Sequence, residues 1–385
     1  MRVIHSSDWH LGRAFHGASL AGEQAAAMDA LVDLVRAERV DLVVVAGDLY
    51  DRQLPPVDAT SLLSSALSEL RAAGAVVVAI AGNHDSGRRL GFAGGLLDTA
   101  GVHLRGDVRS AGSPVVVPAR DGGTDVAVYP IPYLEPEVAR HALDAPQERT
   151  HDALLRLALD RARADLAARG PLRSIAVAHA FVAGGAPSDS ERALSVGSSD
   201  RVGLGCLRGF DYVALGHLHG RQQMAGGRVR YAGSPLPYSF SERDQVKGVW
   251  LVDLPRHGPP RVAPVDLPIG RRLAVVTGEL EGLLADRRHA GVEDRWIAAT
   301  LTDPVLPRDA MARLRRRFPH AVTLTHEPPA TAGDGRISYG ERIRDRDDLT
   351  LVDGFLAHVT GRGLTGPERS DCATVLDEVA RDEAA

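Results

Sequence analysis

Asp41-Leu-Val-Val-Val-Ala-Gly-Asp48-Leu-Tyr-Asp51 is an apolar, β-branched run that stops on carboxylates. A run of this kind, without polar alternation, reads as a strand buried on both faces, as in a parallel sheet. The pattern recurs along the chain. Arg2-Val-Ile-His-Ser-Ser leads into Asp8-Trp-His10, and Ala75-Val-Val-Val-Ala-Ile-Ala-Gly into Asn83-His84-Asp85. Ser174-Ile-Ala-Val-Ala leads into His179, and Tyr212-Val-Ala-Leu-Gly into His217-Leu-His219. Ligands of open α/β sheets gather at the carboxyl ends of strands, so these strand ends are placed to converge on one point.

The segments between them are helical. Glu23 to Arg39 carries Ala27, Met28, Leu31, Leu34 and Val35 at helical spacing, and Val57 to Ala73 repeats the pattern after Pro55-Pro56. Strand, helix and strand in alternation give right-handed βαβ units. A further helix is expected over His151 to Arg169, stopped by Gly170-Pro171. Gly184 to Gly205, rich in Gly, Ser, Asp and Arg, reads as a long loop, and loops of that length are usually functional.

After His219 the helices stop. Val229-Arg-Tyr-Ala, Gly248 to Leu254 and Arg261 to Leu267 read as short strands that form a second sheet or complete the first. Pro- and Gly-rich punctuation closes the large domain, 1–268. Residues 269–330 form a small module, with strands at Trp296 to Leu301 and Ala321 to Thr325 around a helix from Pro307 to Arg317. Pro328 to Gly335 is a linker. The tail, 340–385, holds two amphipathic helices, one through Leu349, Val352, Phe355, Leu356 and Val359, the other through Val375, Leu376 and Val379.

Composition excludes several classes. No stretch of about 18 apolar residues is present, so no membrane span is expected. The chain runs into its first strand at Arg2 without a signal-peptide pattern, and a cytoplasmic location is expected. Cys206 and Cys372 stand too far apart to form a thiolate zinc cluster or a disulfide framework. A net charge of −5 argues against coating nucleic acid by bulk electrostatics, although two bound dications would cancel about four negative charges. Basic residues are almost all arginine, with Lys247 the only lysine.

In a strand, residues i and i+2 share a side. If strand direction persists past the strand end, Asp8 and His10 face one point, as do His217 and His219. The donors are oxygen and imidazole nitrogen, a set that suits Mn²⁺, Fe or Zn²⁺. Seven candidate ligands, Asp8, His10, Asp48, Asn83, His179, His217 and His219, over-supply one ion and serve two ions about 3.5–4 Å apart. Asp48, with two carboxylate oxygens, is the natural bridge. Two such ions suit in-line displacement at phosphorus.

In this order, Asp-x-His, Gly-Asp-x-x-Asp, Gly-Asn-His-Asp, His and Gly-His-x-His resemble the calcineurin-type metallophosphoesterases. Phe181-Val-Ala-Gly-Gly, Ser190-Glu-Arg-Ala-Leu-Ser-Val-Gly, Asp211 to His219 and Tyr231-Ala-Gly-Ser-Pro-Leu-Pro-Tyr-Ser-Phe-Ser-Glu further resemble the nuclease subunits of bacterial SbcCD complexes. The resemblance is close over residues 1–255 and one of layout beyond. It implies an α/β fold of two mixed β-sheets flanked by helices, with a small α/β capping domain and a C-terminal helix pair. It implies that Asp8, His10, Asp48 and His219 hold one ion, and Asp48, Asn83, His179 and His217 the other. Mn²⁺ is the expected metal, with Mg²⁺, Fe or Zn²⁺ as alternatives. His84 is expected to bind the scissile phosphate and protonate the departing oxygen, with Asp85 orienting its imidazole. Asp51 stands where archaeal and eukaryotic relatives commonly have a phosphate-turning histidine; here it is expected to orient a ligand.

The implied activity is a 3′-to-5′ exonuclease on duplex ends and an endonuclease on single strands and hairpins, acting in DNA repair and recombination. Duplex DNA needs phosphate-contacting arginines, for which Arg13, Arg88 and Arg89 are candidates. In the small module Arg313, Arg316 and Arg317 share a helix face. The implied partners are DNA, an SbcC-type ATPase gripped by the C-terminal helices, and a second copy of the chain docked through helices within 20–75. The alternatives are a small-molecule phosphodiesterase or phosphatase on the same scaffold, or a DNA-tethering scaffold subunit.

Overall fold

A computed structural model describes residues 1–120, 124–191, 201–267, 270–329 and 347–383. Its first compact unit runs from Met1 to Glu327. Two six-stranded mixed sheets form its centre. In the first, β1 (Arg2–Ser6), β4 (Leu42–Val45), β5 (Val76–Ile80) and β6 (Val102–Arg105) run parallel. β15 (Gly248–Asp253) pairs antiparallel with β1, and β16 (Arg261–Asp266) antiparallel with β15. In the second, β8 (Val126–Ile131), β9 (Arg173–His179), β12 (Tyr212–Gly216) and β14 (Val229–Tyr231) run parallel, with β7 (Val115–Val117) and β13 (Gln222–Met224) antiparallel at the edges. Two ribbons, β2 (Ala14–Phe15) with β3 (Ala18–Ser19) and β10 (Phe181–Val182) with β11 (Arg201–Val202), lie outside the sheets.

Strand alternation assigns every second side chain to a different core. Leu42 and Val44 of β4, Val78 and Ile80 of β5, and Ile175 and Val177 of β9 meet between the two sheets. Val43 and Val45 turn the other way, onto Met28, Leu31 and Val35 of α1 (Ala21–Glu38) and Leu63, Leu67 and Leu70 of α2 (Val57–Ala72). Ala176 and Ala178 pack on Leu154, Leu155 and Leu159 of α6 (His151–Arg169). The result is a four-layer α/β/β/α sandwich in which both sheets are covered on both faces. Leu70 is fully buried, and its truncation to Ala removes about 2–5 kcal/mol. A polar ring, that of His5, sits in the inter-sheet layer. His5 hydrogen-bonds Tyr212 Oη (2.9 Å) and the Leu215 carbonyl (3.1 Å), and burial pushes its pKa down to about 3.

Short helices α3 (Gly87–Leu90), α4 (Gly94–Thr99) and α5 (Pro136–Ala142) complete the large part of the unit. Residues 273–326 add a parallel three-stranded sheet, β17 (Leu273–Gly278), β18 (Trp296–Leu301) and β19 (Ala321–His326). Its core is closed by Leu280 and Leu283 of α7 (Leu280–Ala285) and Leu314 of α8 (Ala310–Arg317), with Phe318. The helix expected from Pro307 starts at Ala310, after Asp309 takes a left-handed φ of 51°. Leu273 and Trp296 pack into the core of the larger part, Trp296 with its ring 5.7 Å from that of Phe15.

The second unit spans Pro328–Ala385. Its described helices are Asp348–Thr360, capped by the Asp347 carboxylate on the Thr350 N–H (2.7 Å) and ended by Gly361 at φ 74°, and Gly366–Glu383. Phe355, Val359 and Val375 are exposed. The side chain of Val379, most of the expected linker from Pro328 to Gly335, and 192–200 of the long loop lie outside the described residues. Among the described residues no helix is long and apolar enough to cross a membrane.

Candidate metal centre

The strand ends converge, by a different backbone route from simple extension. Asp8 (φ 53°), His10 (φ 45°), Asp48 (φ 50°) and His217 (φ 101°) all leave the β region. The turns after β1 and β4 are zipped by main-chain bonds, Asp8 N–H to Gly47 carbonyl (3.0 Å) and His10 N–H to Asp48 carbonyl (2.9 Å). The expectation that strand direction persists is therefore corrected. Left-handed residues, costly for a non-glycine side chain, aim these groups. Glycines make room: a β-carbon at Gly82 would collide with the Asp48 carboxylate, and one at Gly47 with the His179 ring.

Among the described residues three triads of possible ligand atoms result, each with its atoms within 4.8 Å: Asp8, His10 and His219; His10, Asp48 and His84; Asp8, Asp48 and His179. Asp48 belongs to two of them. Its Oδ2 lies 3.4 Å from His179 Nε2 and 3.6 Å from His10 Nε2, while Oδ1 accepts the His84 N–H (2.8 Å). Asn83 Oδ1 is 2.8 Å from His179 Nε2. The His217 ring lies beside that of His179, 5.4 Å between centroids, and the His217 N–H donates to Asp8 (3.0 Å). All seven expected ligands are thus gathered, although Asn83 and His217 fall outside the triads.

The donor chemistry fits divalent ions. His179 Nδ1 faces the Ala46 carbonyl at 2.9 Å, which can only accept, so its proton is on Nδ1 and its Nε2 lone pair faces Asn83 Oδ1. His10 Nε2 and His219 Nε2 meet at 3.1 Å. The lone pairs of His179 Nε2 and Asn83 Oδ1, directed at one another, are reconciled by a cation. Burial pushes the Asp48 carboxyl well above the usual range, with Asp85 and Asp8 adding to it. Asp8 is likewise raised by burial, and His10 and His217 are pushed well down by burial and neighbouring imidazoles. Bound cations would reverse that penalty.

The expected catalytic residues are placed unequally. The His84 ring is edge-on to His10, 4.7 Å between centroids, and its Nδ1 donates to the Asp51 carbonyl (2.7 Å). The Asp51 carboxylate lies 3.7 Å from His10 Nδ1, beside a ligand. Asp85 does not orient the His84 imidazole, which corrects that expectation. Its carboxylate accepts the N–H groups of Leu49 (3.1 Å), Tyr50 (2.9 Å) and Gly82 (2.9 Å), pinning the β4 turn to the β5 turn.

The arginines also divide. Arg13 is at the centre, 3.7 Å from the Asp51 carboxylate and stacked over Tyr238 at 4.9 Å. Arg88 and Arg89 are exposed, and Arg88 lines a groove with Asn83 and Tyr133. Arg313 pairs with Glu281, and Arg317 with Glu293 (2.9 Å), so of the expected basic face only Arg316 stays exposed.

Sequence reasoning missed the residues behind His219. Ser190 Oγ is 2.5 Å from His219 Nδ1, Glu191 accepts the His219 N–H (2.7 Å), and Glu242 and Lys247 lie behind Ser190. One signal was available: Lys247 is the only lysine in the chain.

Comparison with known families bears on this geometry. The calcineurin-like phosphoesterase family matches residues 1–221, the stretch that supplies every ligand named above. The chain belongs to the calcineurin-like phosphoesterases. A second family, SbcD_C, described as the type 5 capsule protein repressor C-terminal domain, matches residues 270–360. Similar solved structures include a dimetal phosphatase from Danio rerio, 16% identical over 69% of this chain and 98% of that one, with a TM-score of 0.42. The protein TT1561 of Thermus thermophilus is 12% identical over 68% and 98%, with a TM-score of 0.36. GAP50, titled the anchor in the inner membrane complex of Plasmodium, is 14% identical over 86% and 98%, with a TM-score of 0.41. Family and site together make the chain a phosphoester hydrolase of the kind that works with divalent metal.

Proposed function

We propose that this chain is an SbcD-type nuclease subunit: a two-metal phosphodiesterase that cuts DNA in concert with an SbcC-type ATPase. The observation that carries this reading is the SbcD_C match over residues 270–360, directly after a phosphoesterase domain with a gathered ligand set. A small-molecule phosphatase has no evident use for that extension.

Asp8, His10, Asp48 and His219 would hold one ion, and Asp48, Asn83, His179 and His217 the other, with Mn²⁺ the expected metal. When bound, the pair supplies Lewis acidity toward phosphoryl oxygens and acidifies water at neutral pH. The chain's own residues do the rest. His84, its Nδ1 proton held by the Asp51 carbonyl, has a ring nitrogen within 4.8 Å of ligand atoms of His10 and Asp48. Burial lowers the pKa of this imidazole. A bound phosphodiester anion would oppose that shift, so that His84 takes its second proton from solvent water and gives it to the departing oxygen. Arg13, Arg88, Arg89 and Arg316 are the proposed phosphate contacts; Arg313 and Arg317 are consumed by pairs within their module.

Exposed apolar side chains support the partners. Phe355 and Val375 sit on the tail helices proposed to grip the ATPase. Leu54 and Val57 at the start of α2 suit a homodimer contact. The test is cleavage of end-labelled duplex DNA with Mn²⁺, with and without a co-expressed SbcC-type ATPase. ATP-dependent shortening of the duplex supports the proposal. Hydrolysis of an aryl phosphodiester with no action on DNA in either condition would favour a small-molecule phosphodiesterase.

A further inference from the structure

We infer that Ser190, Glu242 and Lys247 form a positioning relay that sets the tautomer and orientation of His219; the inference rests on the metal centre proposed above. His219 Nε2 faces His10, so Nδ1 is the nitrogen turned away from the centre. That nitrogen meets Ser190 Oγ at 2.5 Å. Ser190 Oγ also contacts the Glu242 carboxylate, which in turn contacts the Lys247 ammonium. A carboxylate beside an ammonium only accepts, and a hydroxyl has one proton to give. Ser190 therefore donates to Glu242 and accepts from His219 Nδ1–H. The proton is fixed on Nδ1, and the Nε2 lone pair is presented to the metal pair.

Lys247 holds the arrangement from behind. Its Nζ lies 2.8 Å from the His219 carbonyl, 3.0 Å from Ser234 Oγ and 2.8 Å from Gln245 Oε1, besides contacting Glu242, so its three N–H groups are shared among four acceptors. One ammonium thus grips both the backbone of the ligand and the carboxylate that orients its ring. Glu242 is 1% exposed and Lys247 8%, and a buried ion pair is tolerable when both charges are saturated in this way. Two other imidazoles are fixed differently. His179 donates to the Ala46 carbonyl and His84 to the Asp51 carbonyl, main-chain groups that no substitution removes. His219 depends on side chains, the first of them reaching it from a loop 29 residues earlier.

The test uses the full chain, with Mn²⁺ binding followed by calorimetric titration and apo stability by thermal melting. Ser190→Ala should weaken one of the two ions about 10–100-fold while leaving the other and the apo melting temperature near wild type. Ser190→Thr, which keeps the hydroxyl, should restore the affinity. Co²⁺ absorption should report a changed ligand field in the Ala variant and not in the Thr variant. Wild-type affinity at both sites in Ser190→Ala would overturn the relay. So would a Thr variant as weak as Ala, or a loss of apo stability that accounts for the weakened binding. If the unaltered chain takes up no Mn²⁺ at all, the centre itself fails, and the relay with it.

Discussion

Asp48→Asn should make the metal-free protein more stable and abolish the further stabilisation that Mn²⁺ gives the wild type. The Asp48 carboxyl is buried beside Asp85 and Asp8 and is raised well above its ordinary value of 3.8. A carboxyl raised on folding contributes stability that is fully present below the unfolded pKa and is lost as pH rises through the folded one. At pH 7 the resulting deficit is about 1.4 kcal/mol for each pH unit of the rise, with a ceiling near 4 kcal/mol set by the working pH. Asparagine has no such deficit and keeps an oxygen for the His84 N–H at 2.8 Å. The apo melting temperature should therefore rise by several degrees, at roughly 2 °C per kcal/mol for a large domain. Metal acts in the opposite direction. Free Mn²⁺ at a hundred times its Kd stabilises the wild type by about 2.7 kcal/mol, and the variant should show none of that gain. Calorimetric scans with and without Mn²⁺ at pH 7, repeated near pH 4, measure both terms; near pH 4 the apo advantage should vanish. An apo variant that melts below wild type, or an intact Mn²⁺-induced rise, would refute the reasoning.

His84→Ala should retain both ions, read by metal analysis, yet lose about 10²–10⁴-fold in phosphodiester cleavage; near wild-type turnover would remove His84 from the chemistry. His5, lowered by burial from 6.5 to about 3, is held neutral between the sheets. Its contribution is present above pH 6.5 and lost as pH falls toward 3, on the order of 5 kcal/mol in all, so acid titration of stability should flatten in His5→Phe relative to wild type. Gly82→Ala drives a β-carbon into the Asp48 carboxylate and should cost about 1–3 kcal/mol together with Mn²⁺ binding, whereas Gly22→Ala in α1, with open space around it, should be neutral or stabilising. Equal effects of the two glycine substitutions on Mn²⁺ binding would show that close approach at Gly82 does not matter.

What could be read from sequence follows from how local each signal is. The buried strands β1, β4, β5, β9 and β12 advertise themselves because both faces are apolar, and each ligand sits at the end of one. The helices α1, α2 and α6 follow from 3.6-residue periodicity, to within a residue or two at their ends. Strand β7 is only three residues long and β8 carries Pro130 within it, so neither stands out from its surroundings. Sheet membership is a non-local property: β14 continues the second sheet, while β15 returns to pair with β1, some 250 residues earlier. The left-handed turns at Asp8, His10 and Asp48 are imposed by the zipped loops rather than by residue type, so i, i+2 reasoning brought these residues to one place through incorrect geometry. Asp85 was misread because adjacency to His84 in sequence does not fix which way a carboxylate points. Ser190, Glu242 and Lys247 come together only in the folded chain.

The most direct test of the centre is the number of ions the chain holds. Apo protein dialysed to equilibrium against micromolar Mn²⁺ and analysed for metal by mass spectrometry should contain about two ions per chain, as a paired-ion site requires. Retention of none, or saturation at a single ion, would contradict the account.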